Sequence, residues 1–145
     1  MNGYPMTPIG FVESPIKKPA PPDDFKGVRS RIRILQRFLP ALEGLEEEVR
    51  LAVLFRFHLS REYSMKVHPR GDLSRPLKGV FATCSPRRPN GTGLSFVRLL
   101  DMKGPVLTLT GLDAVDGTPV LDIKPLRYLE ETVDHYGSGK GGEIF

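Results

Sequence analysis

Short runs of alternating hydrophobic and polar residues are the clearest pattern along the chain. Between Arg29 and Ile34, three arginines fall on one face of an extended segment, while Ser30, Ile32 and Ile34 fall on the other. A second alternating run covers Val49–His58. A period of two is typical of β-strands that bury one face. The first run therefore predicts a strand with a basic outer face, and the second predicts the central strand of the core.

Further strand-sized runs are separated by residues that favour turns. These runs are Pro8–Ser14, a segment near Lys78–Thr83, Leu94–Met102, Val106–Leu112 and Pro119–Leu126. Lys103-Gly104-Pro105 and Asp116-Gly117 are turn signals, and Lys17–Asp24 and Ser60–Arg75 are expected loops. Pro40–Glu48 is expected to form at most one or two helical turns. The pattern predicts an all-β fold, a small closed or partly open β-barrel of about seven strands with short helical turns.

The length and composition fit one such barrel. A chain of 145 residues fits one domain, and 15 Gly and 14 Pro favour short elements joined by tight turns. We expect the domain to span residues 1–136, followed by a flexible tail over residues 137–145. No apolar run reaches the roughly 18 residues of a membrane span, no secretory signal is evident, and one cysteine cannot form an internal disulfide. We therefore expect a cytoplasmic protein without a membrane partner.

The stretch Ala82–Ser95 (ATCSPRRPNGTGLS) is unusually dense in special residues. Asn90-Gly91 between two apolar runs is a strong hairpin signal, which favours a simple turn. A two-residue turn does not account for Arg87, Arg88 or the two prolines, so a ligand site is the alternative. Gly91-Thr92-Gly93 lacks the strand and helix setting of a phosphate-binding loop. The residues alone leave the turn and the site both open.

Candidate catalytic and metal-binding residues are few. Asp113, Asp116 and Asp122 are close in sequence, but their spacing matches neither a calcium loop nor a zinc site, so no metal is expected. Asp116 favours a turn, whereas Asp113 and Asp122 could each either cap a turn or accept a hydrogen bond from a hydroxyl or amino group of a ligand. His58 closes the core strand, and a lone histidine is more often a satisfied polar group than a ligand or a base. No Cys-His or Ser-His-Asp constellation follows from the spacing.

The basic residues permit a polyanionic partner. The net charge is +4, and the arginines at positions 29, 31 and 33 would usually form a solvated face. Together with Arg70, Arg75, Arg87 and Arg88 they could also follow the phosphates of a nucleic acid.

Five segments resemble, in chain order, the signature segments of the TsaA/TrmO-like family. They are IGFVESPIK (Ile9–Lys17), LFRFH (Leu54–His58), HPRG (His68–Gly71), GVFATCSPRRPNGTGLS (Gly79–Ser95) and GLDAVDGTPVLDIKP (Gly111–Pro125). The family patterns matching the last two, GVFATRSPxRPNPIGLS and GLDxxDGTPVLDIKP, are long and specific. The resemblance implies an S-adenosylmethionine-dependent methyltransferase on a small β-barrel, dimeric, with the cofactor at the subunit interface. It implies as substrate a tRNA adenosine beside the anticodon, methylated on a nitrogen that carries a threonylcarbamoyl group.

The resemblance also implies a set of cofactor-binding residues. They are His58, Leu59, Cys84, Leu94, Thr110, Gly111, Leu112 and Asp113, with Asp24, Phe25, Lys26 and Gly27 in the proline-rich connector. The Asp113 carboxylate would accept a hydrogen bond from a ribose hydroxyl or an amino group. Arg70, Arg87 and Arg88 are the expected RNA contacts. No catalytic base is assigned: His58, Asp113 and the absence of any base stay open.

The sequence departs from the family pattern in three ways, and alternative functions therefore stay open. Cys84 stands where the family usually has arginine, Gly91-Thr92 replaces Pro-Ile, and larger members carry an additional C-terminal domain. Arg87 or Arg88 could replace the missing cation, and Gly91-Thr92 is expected to loosen the loop. The alternatives are a barrel that binds S-adenosylmethionine or RNA without catalysis, and a methyltransferase for another acceptor.

Overall fold

The computed structural model describes residues 3–135, with eight β-strands and one α-helix in this range. The strands are β1 (Gly10–Glu13), β2 (Arg29–Ile34), β3 (Arg50–Arg56), β4 (Lys66–Val67), β5 (Lys78–Gly79), β6 (Thr92–Lys103), β7 (Val106–Thr110) and β8 (Pro119–Pro125), and the helix is α1 (Leu126–His135). Short 3-10 helices cover Pro22–Phe25, Gln36–Leu42, Leu45–Glu47, Pro69–Gly71, Val80–Ala82 and Pro89–Gly91. Within residues 3–135, no helix is long and apolar enough to cross a lipid bilayer.

Six strands close into an antiparallel barrel. Their order is β1-β2-β7-β6-β3-β8, and β8 pairs back with β1. β4 and β5 form a separate two-stranded ribbon. All six barrel strands contribute to the core, through side chains that are at most 2% exposed: Val12, Ile32, Leu51, Val53, Phe55, Val97, Leu107, Leu109 and Val120. The predicted β-barrel is confirmed, and its closure gives every barrel strand a partner on both sides.

The two alternating runs form the strands that the sequence predicts. In β2 the three arginines are exposed, while Ser30, Ile32 and Ile34 are buried inside the barrel. β3 is shorter than expected, because it begins at Arg50 and Val49 before it is 56% exposed. β3 lies between β6 and β8 and is confirmed as a central strand.

Three structural expectations are corrected. Near Lys78–Thr83 only the first two residues are a strand, because the chain then turns into a 3-10 helix in which Val80 is buried and Phe81 is 78% exposed. Asn90-Gly91 does not close a hairpin, because β5 pairs with β4 whereas β6 pairs with β3 and β7. The helix α1 was not predicted. The expected flexible tail lies outside the described residues, and the domain limits of 1–136 stay a prediction.

Three connections of the barrel, including the longest one, lie at the same end. Because neighbouring strands are antiparallel, β1, β3 and β7 all run in the same direction and finish at the same end of the barrel. The connections that follow them are residues 14–28, 57–91 and 111–118. We call this the loop end. The opposite end carries the β2–β3 connection and the tight turn at Gly104.

Candidate functional site

All twelve residues that the resemblance implies for cofactor binding lie at the loop end or on a strand terminus beside it. Asp24–Gly27 belong to the connection after β1, His58, Leu59 and Cys84 to the one after β3, and Gly111–Asp113 to the one after β7. Thr110 ends β7, and Leu94 is the third residue of β6. Residues far apart in sequence are therefore brought to one end of the barrel by the order of its strands.

Asp116 fixes the connection between β7 and β8. Its carboxylate accepts a hydrogen bond of 2.9 Å from the backbone N–H of Ser14 and pairs at 3.0 Å with Lys17. Its own N–H donates to the carbonyl of Ile16 over 2.8 Å. The Ser14 hydrogen bond and the Lys17 ammonium lower the pKa of the Asp116 carboxyl. The predicted turn at Asp116-Gly117 is confirmed, and Asp116 ties that turn to the chain that leaves β1.

Asp113 has a fixed backbone and an open carboxylate. Its N–H donates to the Ser95 hydroxyl over 3.1 Å, and Ser95 is 5% exposed inside the barrel. Among the side chains described, none forms an ion pair or hydrogen bond with the Asp113 carboxylate. Desolvation by the surrounding protein raises the pKa of this carboxyl. A partly desolvated carboxylate without a donor is suited to accept hydrogen bonds from a ligand.

His58 lies beside the same turn. Its Nε2 atom is 3.9 Å from the point where a Cβ atom on Gly117 would lie. The side chain is half-buried, and its backbone N–H donates to the carbonyl of Arg56 over 2.8 Å. The connection after β3 and the turn before β8 are therefore neighbours, and His58 places a titratable side chain between them.

The segment around Cys84 is held through its backbone. Arg88 Nη1 donates to the carbonyl of Thr83 over 2.7 Å and to that of Ser85 over 3.4 Å. These two carbonyls flank Cys84, whose side chain is exposed. The Arg88 guanidinium also lies 5.9 Å from the centroid of the Phe81 ring. A cation therefore lies next to position 84, and the replacement of the family arginine by Arg87 or Arg88 stays a prediction.

The turn after Pro89 is attached to the end of β3. The N–H of Phe57 donates to the carbonyl of Gly91 over 2.7 Å, and the Arg56 guanidinium donates to the carbonyl of Asn90. Asn90 and Gly91 have φ values of 67° and 51°, in the left-handed region that asparagine and glycine adopt most easily. The stretch that could have been a hairpin is a separate loop beside the predicted cofactor residues.

The connection after β3 carries the positive charge of the protein. Residues 59–88 contain seven Lys and Arg and two Asp and Glu, a net charge of +5, while the whole chain has +4. The expected RNA contacts Arg70, Arg87 and Arg88 all lie in it. Tyr63 and Phe81 in the same segment are 61% and 78% exposed. We call residues 59–88 the basic excursion. Within residues 3–135, no cluster of three metal-ligating side chains is found.

The outer face of β6 adds two features that the sequence did not single out. Leu94 and Phe96 are 58% and 61% exposed, and they form an apolar surface at the loop end of the strand. Beside it lies an open groove of about 800 Å³, which is lined by Arg50, Phe96, Val97, Arg98, Thr110, Gly111, Leu126, Leu129 and Glu130. Only Thr110 and Gly111 of this lining were predicted. The alternation of β6 was visible in the sequence, but its neighbours on the outer face were not.

Comparisons with known proteins give a consistent result. The family model for the tRNA-methyltransferase O N-terminal domain matches residues 11–133. A probable S-adenosyl-L-methionine-binding protein from Methanothermobacter thermautotrophicus is 43% identical over 133 residues, covering 90% of this chain and 93% of that protein. The mouse tRNA (adenine(37)-N6)-methyltransferase is 39% identical over 128 residues, which are 81% of this chain but 30% of the mouse protein.

A solved structure agrees with the fold and with the sequence similarity. The crystal structure of TrmO from Pseudomonas aeruginosa superposes with a TM-score of 0.70 and 33% sequence identity. The superposition covers 99% of this chain and 65% of that one. The chain therefore spans nearly the whole archaeal relative but less than two thirds of the mouse and Pseudomonas proteins.

Proposed function

The chain belongs to the tRNA-methyltransferase O N-terminal domain family, and on that premise we propose that it is an S-adenosylmethionine-dependent tRNA methyltransferase. We propose as acceptor the N6 nitrogen of threonylcarbamoyladenosine next to the anticodon. The observation that carries the proposal is the gathering of all twelve implied cofactor residues at the loop end. The names of the relatives support it, because they include S-adenosyl-L-methionine-binding proteins and tRNA (adenine(37)-N6)-methyltransferases. We also propose a cytoplasmic location.

The residues at the loop end fit S-adenosylmethionine. Asp113 offers a carboxylate without a donor, suited to the ribose hydroxyls or an amino group of the cofactor. Backbone groups of Thr110–Leu112 and Leu94 would contact the remainder. Arg88 supplies a cation beside Cys84, suited to the cofactor carboxylate. Exposed Leu59 offers an apolar contact.

The main catalytic task of this chain would be to orient the methyl donor and the acceptor nitrogen. S-adenosylmethionine supplies a methyl group that the sulfonium already activates, so the protein must hold donor and acceptor in line. The acceptor nitrogen is a weak nucleophile because its lone pair is delocalised into the carbamoyl carbonyl, so removal of its proton would help. His58 and Asp113 are the two candidate bases among the proposed cofactor residues, and separate substitution of each would distinguish them from a reaction without a base.

The basic excursion supports tRNA as the substrate. Its net charge of +5 is opposite in sign to the phosphate backbone. Exposed aromatic rings among cations are typical of surfaces that bind unpaired bases, which an anticodon loop presents. We propose that Arg70, Arg87 and Arg88 contact the RNA, with Arg88 at the boundary between RNA and cofactor.

We propose that the chain forms a homodimer through the apolar surface of Leu94 and Phe96. This surface adjoins the proposed cofactor residues, so a second copy seated there would cover the site. Phe96→Asp should give a monomer in sedimentation velocity and weaken cofactor binding. Leu100→Asp, on the same strand at 40% exposure, is the matched control. A monomeric wild-type protein that binds the cofactor would contradict the dimer.

Titration calorimetry with S-adenosylmethionine tests the cofactor site. A hydrogen bond to a charged group contributes about 1.5–3 kcal/mol, so Asp113→Ala should weaken binding by roughly ten- to a hundredfold. Asp101→Ala, at the opposite end of the barrel, should leave the affinity unchanged. No binding of the wild-type protein at millimolar cofactor would refute the methyltransferase.

Mass spectrometry of tRNA nucleosides tests the acceptor. After incubation with S-adenosylmethionine, threonylcarbamoylated tRNA should gain one methyl group on the modified adenosine, and tRNA without threonylcarbamoyl should not. Cys84 in place of arginine favours one alternative, a barrel that binds without catalysis. Cofactor and RNA binding without methyl transfer to any tRNA would select that alternative, and transfer to another nucleoside would select a different acceptor.

A further inference from the structure

Four residues from four neighbouring strands form one row across the outer face of the barrel. Arg50 of β3 pairs with Arg98 of β6, Arg98 with Thr110 of β7, and Thr110 with Arg29 of β2. Neighbouring strands lie about 4.8 Å apart, so the three arginines lie within roughly 15 Å of one another along the row. We call these four residues the arginine row.

Among the described side chains, only one of the three arginines in the arginine row is paired with a carboxylate. Like charges directly opposite each other on neighbouring strands are unfavourable, which applies to Arg50 and Arg98. Arg50 forms an ion pair of 2.7 Å with Glu130 of α1. Among the side chains described, no carboxylate forms an ion pair with Arg98 or Arg29. By contrast, Arg33 on the same face of β2 pairs with Glu13 at 2.5 Å.

The groove of about 800 Å³ lies over this row. Arg50, Arg98 and Thr110 line it, Gly111 leads from it to the loop end, and Leu126, Leu129 and Glu130 of α1 form a wall. Among the described residues, the groove thus presents two guanidinium groups and one hydroxyl, with the Glu130 carboxylate against them. Guanidinium groups bind phosphate oxygens through paired hydrogen bonds, so the row matches a repeating anion.

We propose that this groove binds the phosphodiester backbone of RNA. In the absence of RNA, the Glu130 carboxylate pairs with Arg50 in the place that a phosphate group would take. The inference rests on the proposed tRNA methyltransferase function. RNA is favoured over a protein partner because the arginines recur from strand to strand across the barrel, and phosphate groups likewise recur from nucleotide to nucleotide along an RNA chain. The groove also reaches Thr110 and Gly111, so RNA held in it would continue toward the proposed cofactor position. α1 then acts as an electrostatic competitor of the substrate.

The experiment compares charge-matched variants in binding to an anticodon stem-loop RNA over a series of salt concentrations. Glu130→Gln should bind several-fold more tightly than wild type, because the competitor of Arg50 is removed. Glu131→Gln, which changes the same charge on the same helix outside the groove, should differ less than twofold from wild type. Arg98→Gln should bind at least about threefold more weakly and lower the salt slope by about 0.7–0.9, as expected for one lost phosphate contact. Lys103→Gln, at the opposite end of β6, is its matched control.

Each other outcome overturns the groove as an RNA site. The RNA site is refuted if Glu130→Gln and Glu131→Gln change RNA affinity equally. It is also refuted if Arg98→Gln and the wild-type protein have the same salt slope. A monomeric Arg98→Gln variant would assign the groove to the second copy, and a weaker affinity for S-adenosylmethionine with an unchanged RNA salt slope would assign it to the cofactor. If any of these contrary outcomes is found while the wild-type protein still methylates tRNA, only the proposed RNA site in the groove is refuted. If wild type binds no RNA, the proposed function fails with it.

Discussion

Gly93 is the position where one added methyl group should most clearly disturb both the barrel and the site. It is the second residue of β6 and lies opposite Phe55 of β3. A Cβ atom there would be 2.5 Å from Cζ of Phe55 and 2.9 Å from Cζ of Phe57. Carbon atoms normally approach to about 3.5–4.0 Å, so both rings would have to move by roughly 1 Å.

The two rings have little room to move. Phe55 is 1% exposed, and its ring packs edge to face against Phe57 with centroids 5.2 Å apart. Overpacking of a filled core costs about 1–3 kcal/mol, and the reduced freedom of the unfolded chain returns about 0.4–1 kcal/mol on replacing glycine. We expect Gly93→Ala to lower the free energy of unfolding by about 1–2 kcal/mol, or the melting temperature by roughly 2–8 °C.

Urea unfolding followed by circular dichroism measures this change. The matched control is Gly79→Ala, since a Cβ atom there has no neighbour within 4 Å and the φ value is −55°. The control should stay within about 0.5 kcal/mol of wild type. Because Phe57 precedes His58, Gly93→Ala should also weaken cofactor binding. A Gly93→Ala variant as stable as the control would refute the argument that the ring pair is fixed.

Three further predictions use the same unfolding measurement. Gly10→Ala should cost more than Gly93→Ala, because its Cβ would overlap the backbone carbonyl of Arg33, which cannot rotate away; a smaller cost would contradict this. Gly91→Pro should destabilise by about 1–3 kcal/mol, since proline cannot adopt a φ of 51° and would lose the 2.9 Å hydrogen bond to the Arg88 carbonyl; unchanged stability would count against that loop. The lowered pKa of Asp116 adds stability above its unfolded pKa of about 3.9, which is lost as pH falls through the lower folded pKa. Asp116→Asn should therefore flatten the pH dependence between about pH 4 and 2.

Local patterns predicted the strands whose two faces differ most. β2 matches its alternating run because every second residue is buried in the barrel. The segment after Gly79 was predicted as a strand from its apolar residues, but Val80 and Phe81 face opposite environments in a 3-10 turn. The missed helix α1 had a signal, since Leu126 and Leu129 are three residues apart and both line the groove.

The arrangement of the site depends on strand order, which local pattern does not contain. The resemblance supplied the implied cofactor residues, but not that β3 lies between β6 and β8 or that β7 joins β2 to β6. The arginine row depends on register between strands far apart in sequence, so Arg50 and Arg98 did not appear related. The sequence identified Asp113 as a candidate hydrogen-bond acceptor for a ligand. The hydrogen bond from its N–H to the Ser95 hydroxyl became visible only in the closed barrel.

The departures at Cys84 and Gly91 have different structural consequences. The backbone on both sides of Cys84 is held by Arg88, so that loop does not rely on the side chain at position 84 for its shape. Gly91 is different, because its φ of 51° is forbidden to proline. The backbone here must therefore differ from that of family members with proline at this position. A Cβ on Gly91 would also lie 3.5 Å from the Arg56 guanidinium, which binds the Asn90 carbonyl. Gly91 thus permits a loop shape that proline would exclude, and the hydrogen bond from Arg56 to the Asn90 carbonyl holds that shape in place.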